Sequence, residues 1–196
     1  MVKGKIIFLN GVSSTGKTSL AKALQERLDE PYYVINVDSF LGTGIMFPEK
    51  FATADDAGYE MFLRTSSGMH HVIKLYSDMG LNTIVDHCLV SNFFDRDPKG
   101  LEECVELLHE YPVLFVHVTC PIEELRRREK ERGDRRIGQA KEQLSILVPQ
   151  DTYDITIDTH NESKDACIER IVAAFKYPDQ LTAFKTLWSQ QHNRTE

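Results

Sequence analysis

Eight residues near the amino terminus, Gly11-Val12-Ser13-Ser14-Thr15-Gly16-Lys17-Thr18, have the types and spacing needed to hold the phosphate tail of a nucleotide. They satisfy G-x-x-x-x-G-K-[ST] at every required position. Gly11 and Gly16 carry no Cβ and accept positive φ, so the backbone N–H groups between them can curl around phosphate oxygens. Lys17 adds a mobile point charge for the β and γ phosphates, and the Thr18 hydroxyl is placed to ligate Mg²⁺. All eight are therefore candidate nucleotide-binding residues, with Lys17 also a candidate catalytic group.

Two aspartates extend the chemistry. Asp38 follows the apolar run Tyr32–Val37, and Asp86 follows Asn82–Val85. An apolar strand ending in aspartate is the Walker B pattern, which makes Asp86 a candidate Mg²⁺ ligand beside Thr18. In phosphoryl transfer, one carboxylate can accept the proton of an acceptor hydroxyl while the other holds water in the metal shell. Periodicity alone does not assign the two roles. Asp38 directly precedes the least regular stretch of the chain, 41–67, which reads as a flap over the acceptor. Asp38 is thus the better candidate to face that acceptor. A third group of residues, Arg132-Gly133-Asp134-Arg135-Arg136, clusters guanidinium groups at a glycine hinge. An arginine on a mobile lid can close over a transferring phosphoryl group and stabilise its spread charge. The preceding Arg126–Glu131 reads mainly as a solvated helix, with Glu123 and Glu124 set four residues before Arg127 and Arg128.

The elements that must position these groups are legible in the same sequence. Lys5–Asn10, Tyr32–Val37, Asn82–Asp86, Val113–Val118 and Tyr153–Thr159 read as five short strands, alternating with helical segments. Strand, helix and strand at this spacing imply right-handed parallel crossovers, and hence an α/β sandwich of three layers around a parallel five-stranded sheet. In such a sheet every strand ends at the same edge, which brings Asp38 and Asp86 to the phosphate loop. Helices are expected over Ser19–Leu28 and Met69–Met79, the latter stopped by Gly80, and from an Asp97 N-cap with Pro98 at the first helical position. Others are expected over 138–147, over 163–175 with Ser163 as cap, and in the tail from Pro178, where Leu181, Phe184, Leu187 and Trp188 form an apolar stripe.

At 196 residues, 41% hydrophobic and 27% charged, the chain suits one domain with a sizeable core, with 41–67 as flap, 126–147 as lid and 178–196 as terminal helix and tail. A net charge of −7 argues against nucleic acid or an anionic membrane as partner. No apolar run approaches a membrane span, and four cysteines without a C-x-x-C pair suit a reducing, cytoplasmic setting. His117, inside the fourth strand, reads as structural.

Taken together, Ile7-Phe8-Leu9-Asn10-Gly11, Ser13-Ser14, Gly16-Lys17, Val37-Asp38-Ser39, Arg132-Gly133-Asp134-Arg135, Tyr153-Asp154 and Asp158-Thr159 resemble the chloramphenicol phosphotransferase-like family, from the first strand to about Ile171. The resemblance implies a fold similar to nucleoside monophosphate kinases and an ATP-dependent O-phosphotransferase. It implies that Asp38 is the base for the acceptor hydroxyl and that Arg132 and Arg135 belong to the lid. Similarity is weakest across 41–67, and Val85-Asp86-His87 stands where the family has a paired-acid step. The expected partners are ATP, Mg²⁺ and a small-molecule hydroxyl acceptor; the acceptor and the oligomeric state are not specified. Two other readings fit the same residues: a nucleotide or sugar-nucleotide kinase gripping a phosphate on its acceptor, and a non-catalytic ATP-binding regulator.

Overall fold

The structure, a computed structural model, describes residues 2–41, 55–133, 136–177 and 180–193. Five strands, β1 (Ile6–Asn10), β2 (Tyr32–Asn36), β3 (Asn82–His87), β4 (Val113–Thr119) and β5 (Ile155–Asp158), form one sheet in the order β2-β3-β1-β4-β5. All four pairings are parallel. The register sets Asn36 opposite Asp86, and Asn10 opposite both His87 and His117, so the C-terminal strand ends line up at one edge.

Strand residues alternate between two cores with period two. Ile6, Phe8, Ile35, Val85, Val113 and Phe115 face helices α3 (Asp56–Asp78), α4 (Gly100–Leu108) and α8 (Ala183–Asn193). Ile7, Leu9, Ile84, Leu114, Val116 and Val118 face α1 (Lys17–Arg27) and α7 (Lys164–Ala174). This double burial accounts for the near-continuous apolar runs of β1 and β4. A third, smaller cluster of Val12, Cys120, Leu125, Ala140 and Leu147 seats α5 (Ile122–Arg132) and α6 (Gln139–Ile146) beside the phosphate loop. Among the described residues no helix is long and apolar enough to cross a membrane.

Several local expectations need correction. The stretch 41–67 is not irregular throughout: residues 56–67 are the first half of the 23-residue helix α3. Asp55 caps it by accepting from the Gly58 N–H at 2.9 Å, and Gly58 and Gly68 sit inside the helix, where no turn forms. Residues 42–54 of that stretch lie outside the described residues. Strand β2 ends at Asn36, and Val37–Leu41 form a short helix, α2, so Asp38 stands in a first helical turn and not at a strand end. Asp97 does not cap α4; the helix starts at Gly100 after Lys99, whose N–H donates to Asp97 Oδ1 at 3.0 Å. On α5, Glu123 pairs with Arg126, and it is Glu124 that engages both Arg127 and Arg128. Ser163 caps α7 as expected, accepting from the Ala166 N–H at 3.2 Å.

Helix α8 docks on the body of the chain. Phe184, 3% exposed, meets Phe115 edge-on at 4.9 Å and Phe8 at 5.8 Å, while Trp188 stacks on His109 and donates to Glu106. Replacing Phe184 with alanine removes a ring from the centre of this core and is expected to cost about 3–5 kcal/mol of stability. Urea unfolding checks this; an unchanged midpoint would mean that α8 adds nothing to the core.

Candidate active site

The phosphate loop leaves β1 at Asn10 and enters α1 at Lys17. Its shape follows from two glycines with different roles. A Cβ on Gly11 would lie 2.3 Å from the Val118 carbonyl oxygen, so only glycine allows the loop to pass this close to β4. Gly16 has φ +93°, a left-handed conformation that favours glycine, and caps α1. Ser14 shares the left-handed region at φ +64°. Gly11→Ala is therefore expected to lower stability by about 1–3 kcal/mol through steric overpacking. A thermal or urea melt that did not move would remove this reason for Gly11.

The fit to a phosphate group rests on the donors. Ser14 is 8% exposed, and among the described residues its Oγ has no hydrogen-bond partner. A buried hydroxyl left this way is costly unless something else engages it. Lys17, also 8% exposed, points Nζ at the Val12 carbonyl oxygen at 2.9 Å and lies 3.9 Å from Asp86 Oδ1. The left-handed residues 14 and 16, the unpartnered hydroxyl and the helix N-terminus together suit an anion of phosphate size.

Asp86 is 4% exposed and is fixed by two hydrogen bonds to Oδ2, from Thr18 Oγ1 at 2.7 Å and from Asn36 Nδ2 at 2.8 Å. Thr18 and Asp86 thus form the juxtaposed hydroxyl and carboxylate that a hard divalent cation selects. Asn36 also acts on the other carboxylate, since its Oδ1 accepts from the Asp38 N–H at 2.7 Å. One amide therefore spaces the two acids. Asp38 itself is exposed, and its side chain lines a cavity of about 110 Å³ shared with Lys17, Thr18, Asp86, Arg132 and Gln143. The structure brings together Asp38, Lys17, Arg132 and the loop; Arg135 lies outside the described residues.

Four side chains to which the sequence assigns no binding or catalytic role belong to this assembly: Asn36, Gln143, Arg128 and Thr159. Local spacing predicts Arg128 on a solvated helix face. Its guanidinium instead reaches across to the phosphate loop, donating to the Ser14 and Thr15 carbonyl oxygens at 3.4 Å and to Thr159 Oγ1 at 3.0 Å. Thr159 Oγ1 in turn donates to the Thr15 carbonyl at 2.6 Å. Arg128, Arg132 and Thr159 line a second cavity, of about 450 Å³, on the α1 and α7 side of the loop. The Glu124 pair explains Arg128 well enough by local spacing to hide its longer reach.

His87 borders the smaller cavity at the end of β3. Its Nδ1 accepts from the Cys88 N–H at 2.8 Å, which leaves the ring proton on Nε2, 3.1 Å from Nε2 of His70. His70 Nδ1 then meets Glu103 Oε2 at 2.5 Å. Burial first, then the neighbouring His70 and Lys17, holds His87 well below the usual imidazole range, so it stays neutral. Cys88 is pushed up to about 11 by burial and remains a thiol. His117 stacks on Tyr153 at 4.4 Å, the structural role expected of it.

An all-parallel 2-3-1-4-5 sheet wound on both faces, with a phosphate loop at its C-terminal edge, is the frame of the small-molecule P-loop kinases and phosphotransferases. The chain belongs to the chloramphenicol phosphotransferase-like family, whose description, "Chloramphenicol phosphotransferase-like protein", matches residues 4–176. It is similar to the Mycobacterium tuberculosis protein named "Putative O-phosphotransferase Rv2636", with 31% identity over 81% of this chain and 76% of that one. It is also similar to an adenylyl-sulfate kinase of Clostridium acetobutylicum, with 26% identity over 89% of this chain and 84% of that one. The fold resembles that of the M. tuberculosis APS kinase CysC in complex with AMPPNP and APS, with a TM-score of 0.65 and 16% identity over 90% of this chain and 99% of that one.

Proposed function

We propose that this protein is an ATP- and Mg²⁺-dependent O-phosphotransferase that moves the γ-phosphoryl group of ATP to a hydroxyl of a small molecule. The observation that carries this reading is one cavity in which Thr18 hydrogen-bonds Asp86, Lys17 lies within ion-pair reach of the same carboxylate, and Asp38 and Arg132 join them on the walls.

In this reading residues 11–18 hold the triphosphate through the loop amides and Lys17. Thr18 and Asp86 would hold Mg²⁺, which supplies neutralising charge when bound. Asp38 takes the proton of the acceptor hydroxyl as that oxygen attacks the γ-phosphorus. The bond from phosphorus to the bridging oxygen breaks, and ADP leaves. Lys17 and Arg132 stabilise the charge spread over the transferring group, a role that the family resemblance also assigns to the lid residue Arg135. The chain works as a single kinase domain, with 126–147 as the lid.

The test is a screen of hydroxylated metabolites and antibiotics, with and without a phosphate group, following ADP release and product mass. Gain of one phosphoryl group by an alcohol supports the proposal. The similarity to an adenylyl-sulfate kinase favours keeping a nucleotide acceptor as a second reading, and activity confined to phosphate-bearing acceptors would select it. Tight ATP binding with no transfer to any hydroxyl compound, together with a nucleotide-dependent protein partner, would replace both with a regulator.

A further inference from the structure

Helix α6 presents Gln139 and Gln143, one turn apart, to the smaller cavity. Gln143 goes further than lining it: its Oε1 accepts the Ser13 N–H at 2.7 Å. Ser13 belongs to the phosphate loop, and its amide is among the donors such a loop offers to phosphate oxygens. A side-chain oxygen of the lid helix therefore occupies a seat that an anion would take.

The helix that delivers this oxygen is tied at both ends. Glu129 of α5, 1% exposed, accepts from the Gly138 N–H at 2.8 Å and the Ala140 N–H at 2.7 Å, buckling the start of α6 to α5. At the other end the Ile146 carbonyl accepts from the Ser91 N–H at 2.8 Å, and Leu147 is buried in the cluster with Val12 and Ala140. Gln143 thus reaches the loop from a held scaffold and not as a stray surface side chain. Elsewhere the loop shows the same self-satisfaction: Lys17 Nζ rests on the Val12 carbonyl. A neutral amide oxygen is, however, a weaker acceptor than a phosphate oxyanion, whose charge-assisted hydrogen bonds are about twice as strong.

We propose that Gln143 is a reversible stand-in for a nucleotide phosphate, filling the Ser13 amide in the nucleotide-free protein and giving way when a polyphosphate binds. The exchange couples occupation of the loop to α6, because the hydrogen bond that joins them is the one that must break. This rests on the reading that the cavity takes a nucleoside triphosphate. It adds that part of the binding free energy of the nucleotide goes into breaking the Gln143 contact, while the ties at both ends keep α6 in place.

Calorimetric titration of the full chain with ATP, and separately with inorganic tripolyphosphate, tests the idea on wild type, Gln143→Ala and Gln143→Glu. Gln143→Ala leaves nothing to displace and is expected to bind both probes about 2- to 10-fold more tightly, the equivalent of one net hydrogen bond. Gln143→Glu puts a charged, stronger acceptor on the same amide and opposes the phosphate, so binding should weaken by about 10-fold or more. If wild type binds ATP but Gln143→Ala binds it equally or more weakly, Gln143 is a bystander or a direct phosphate ligand, and the proposal falls while the functional reading stands. If wild type binds neither probe, the functional reading falls with it.

Discussion

Asp38→Asn is expected to lower phosphoryl transfer by about 10²–10⁴-fold, the range for loss of a positioned general base, while ATP affinity and melting temperature stay close to wild type. The asymmetry between the two aspartates is the reason. Asp86 is buried, with Oδ2 held by Thr18 and Asn36 and Oδ1 facing Lys17. A carboxylate so engaged is suited to a fixed electrostatic role beside a cation. Asp38 is exposed on the cavity wall in the first turn of α2, and its backbone is fixed by Asn36. It can therefore meet an incoming hydroxyl. Asparagine keeps the shape and the backbone contact but is neutral and cannot take a proton. Single-turnover transfer to the acceptor, alongside equilibrium nucleotide binding, separates the two quantities. Full transfer by the variant would move the base away from Asp38.

Asn36 offers a second view of that division. The amide reaches Asp86 with its nitrogen and the Asp38 backbone with its oxygen, so it sets the spacing between the two carboxylates. Nothing in the sequence marks it, because a lone asparagine at a strand end has no periodicity or motif to announce it. A related limit explains Gln143, Arg128 and Thr159, none of which local spacing assigns a role at the loop. Each acts across more than a hundred residues of chain, through contacts that only the sheet topology creates. Motif spacing is local, and it reads the loop, the strand-end Asp86 and the Gly133 helix stop correctly.

The errors have a physical pattern as well. Scattered glycines and aromatics make 56–67 look like loop, yet Tyr59, Ser66 and Met69 are buried faces of α3. Tertiary burial and the Asp55 cap outweigh the glycine penalty of about 1 kcal/mol per residue at positions 58 and 68. At Lys99 the reverse occurs: a left-handed non-glycine residue delays α4 beyond the Asp97-Pro98 signal. The two aspartates reach the cavity regardless, because parallel pairing of β2 and β3 with Asn36 opposite Asp86 does not depend on where the flanking helices begin.

Lys17→Ala is expected to reduce transfer by about 10²–10³-fold or more, the scale for removing one preorganised donor from a developing charge. Unlike the Asp38 change, it should also weaken ATP binding, because Lys17 would meet the phosphates in the ground state too. The fold should survive, since Asp86 keeps the Thr18 and Asn36 hydrogen bonds when the 3.9 Å ion contact is lost. Lys17→Arg sharpens the test. Charge alone would be restored by arginine, but the Lys17 ammonium sits 8% exposed in a slot between the Val12 carbonyl and Asp86, sized for a compact point charge. A planar guanidinium with a rigid donor fork does not match that slot, so Lys17→Arg should leave most of the transfer activity missing. Near-complete rescue by arginine would show that the loop needs only a positive charge at this position, and that the tight seat around Nζ is incidental to the chemistry.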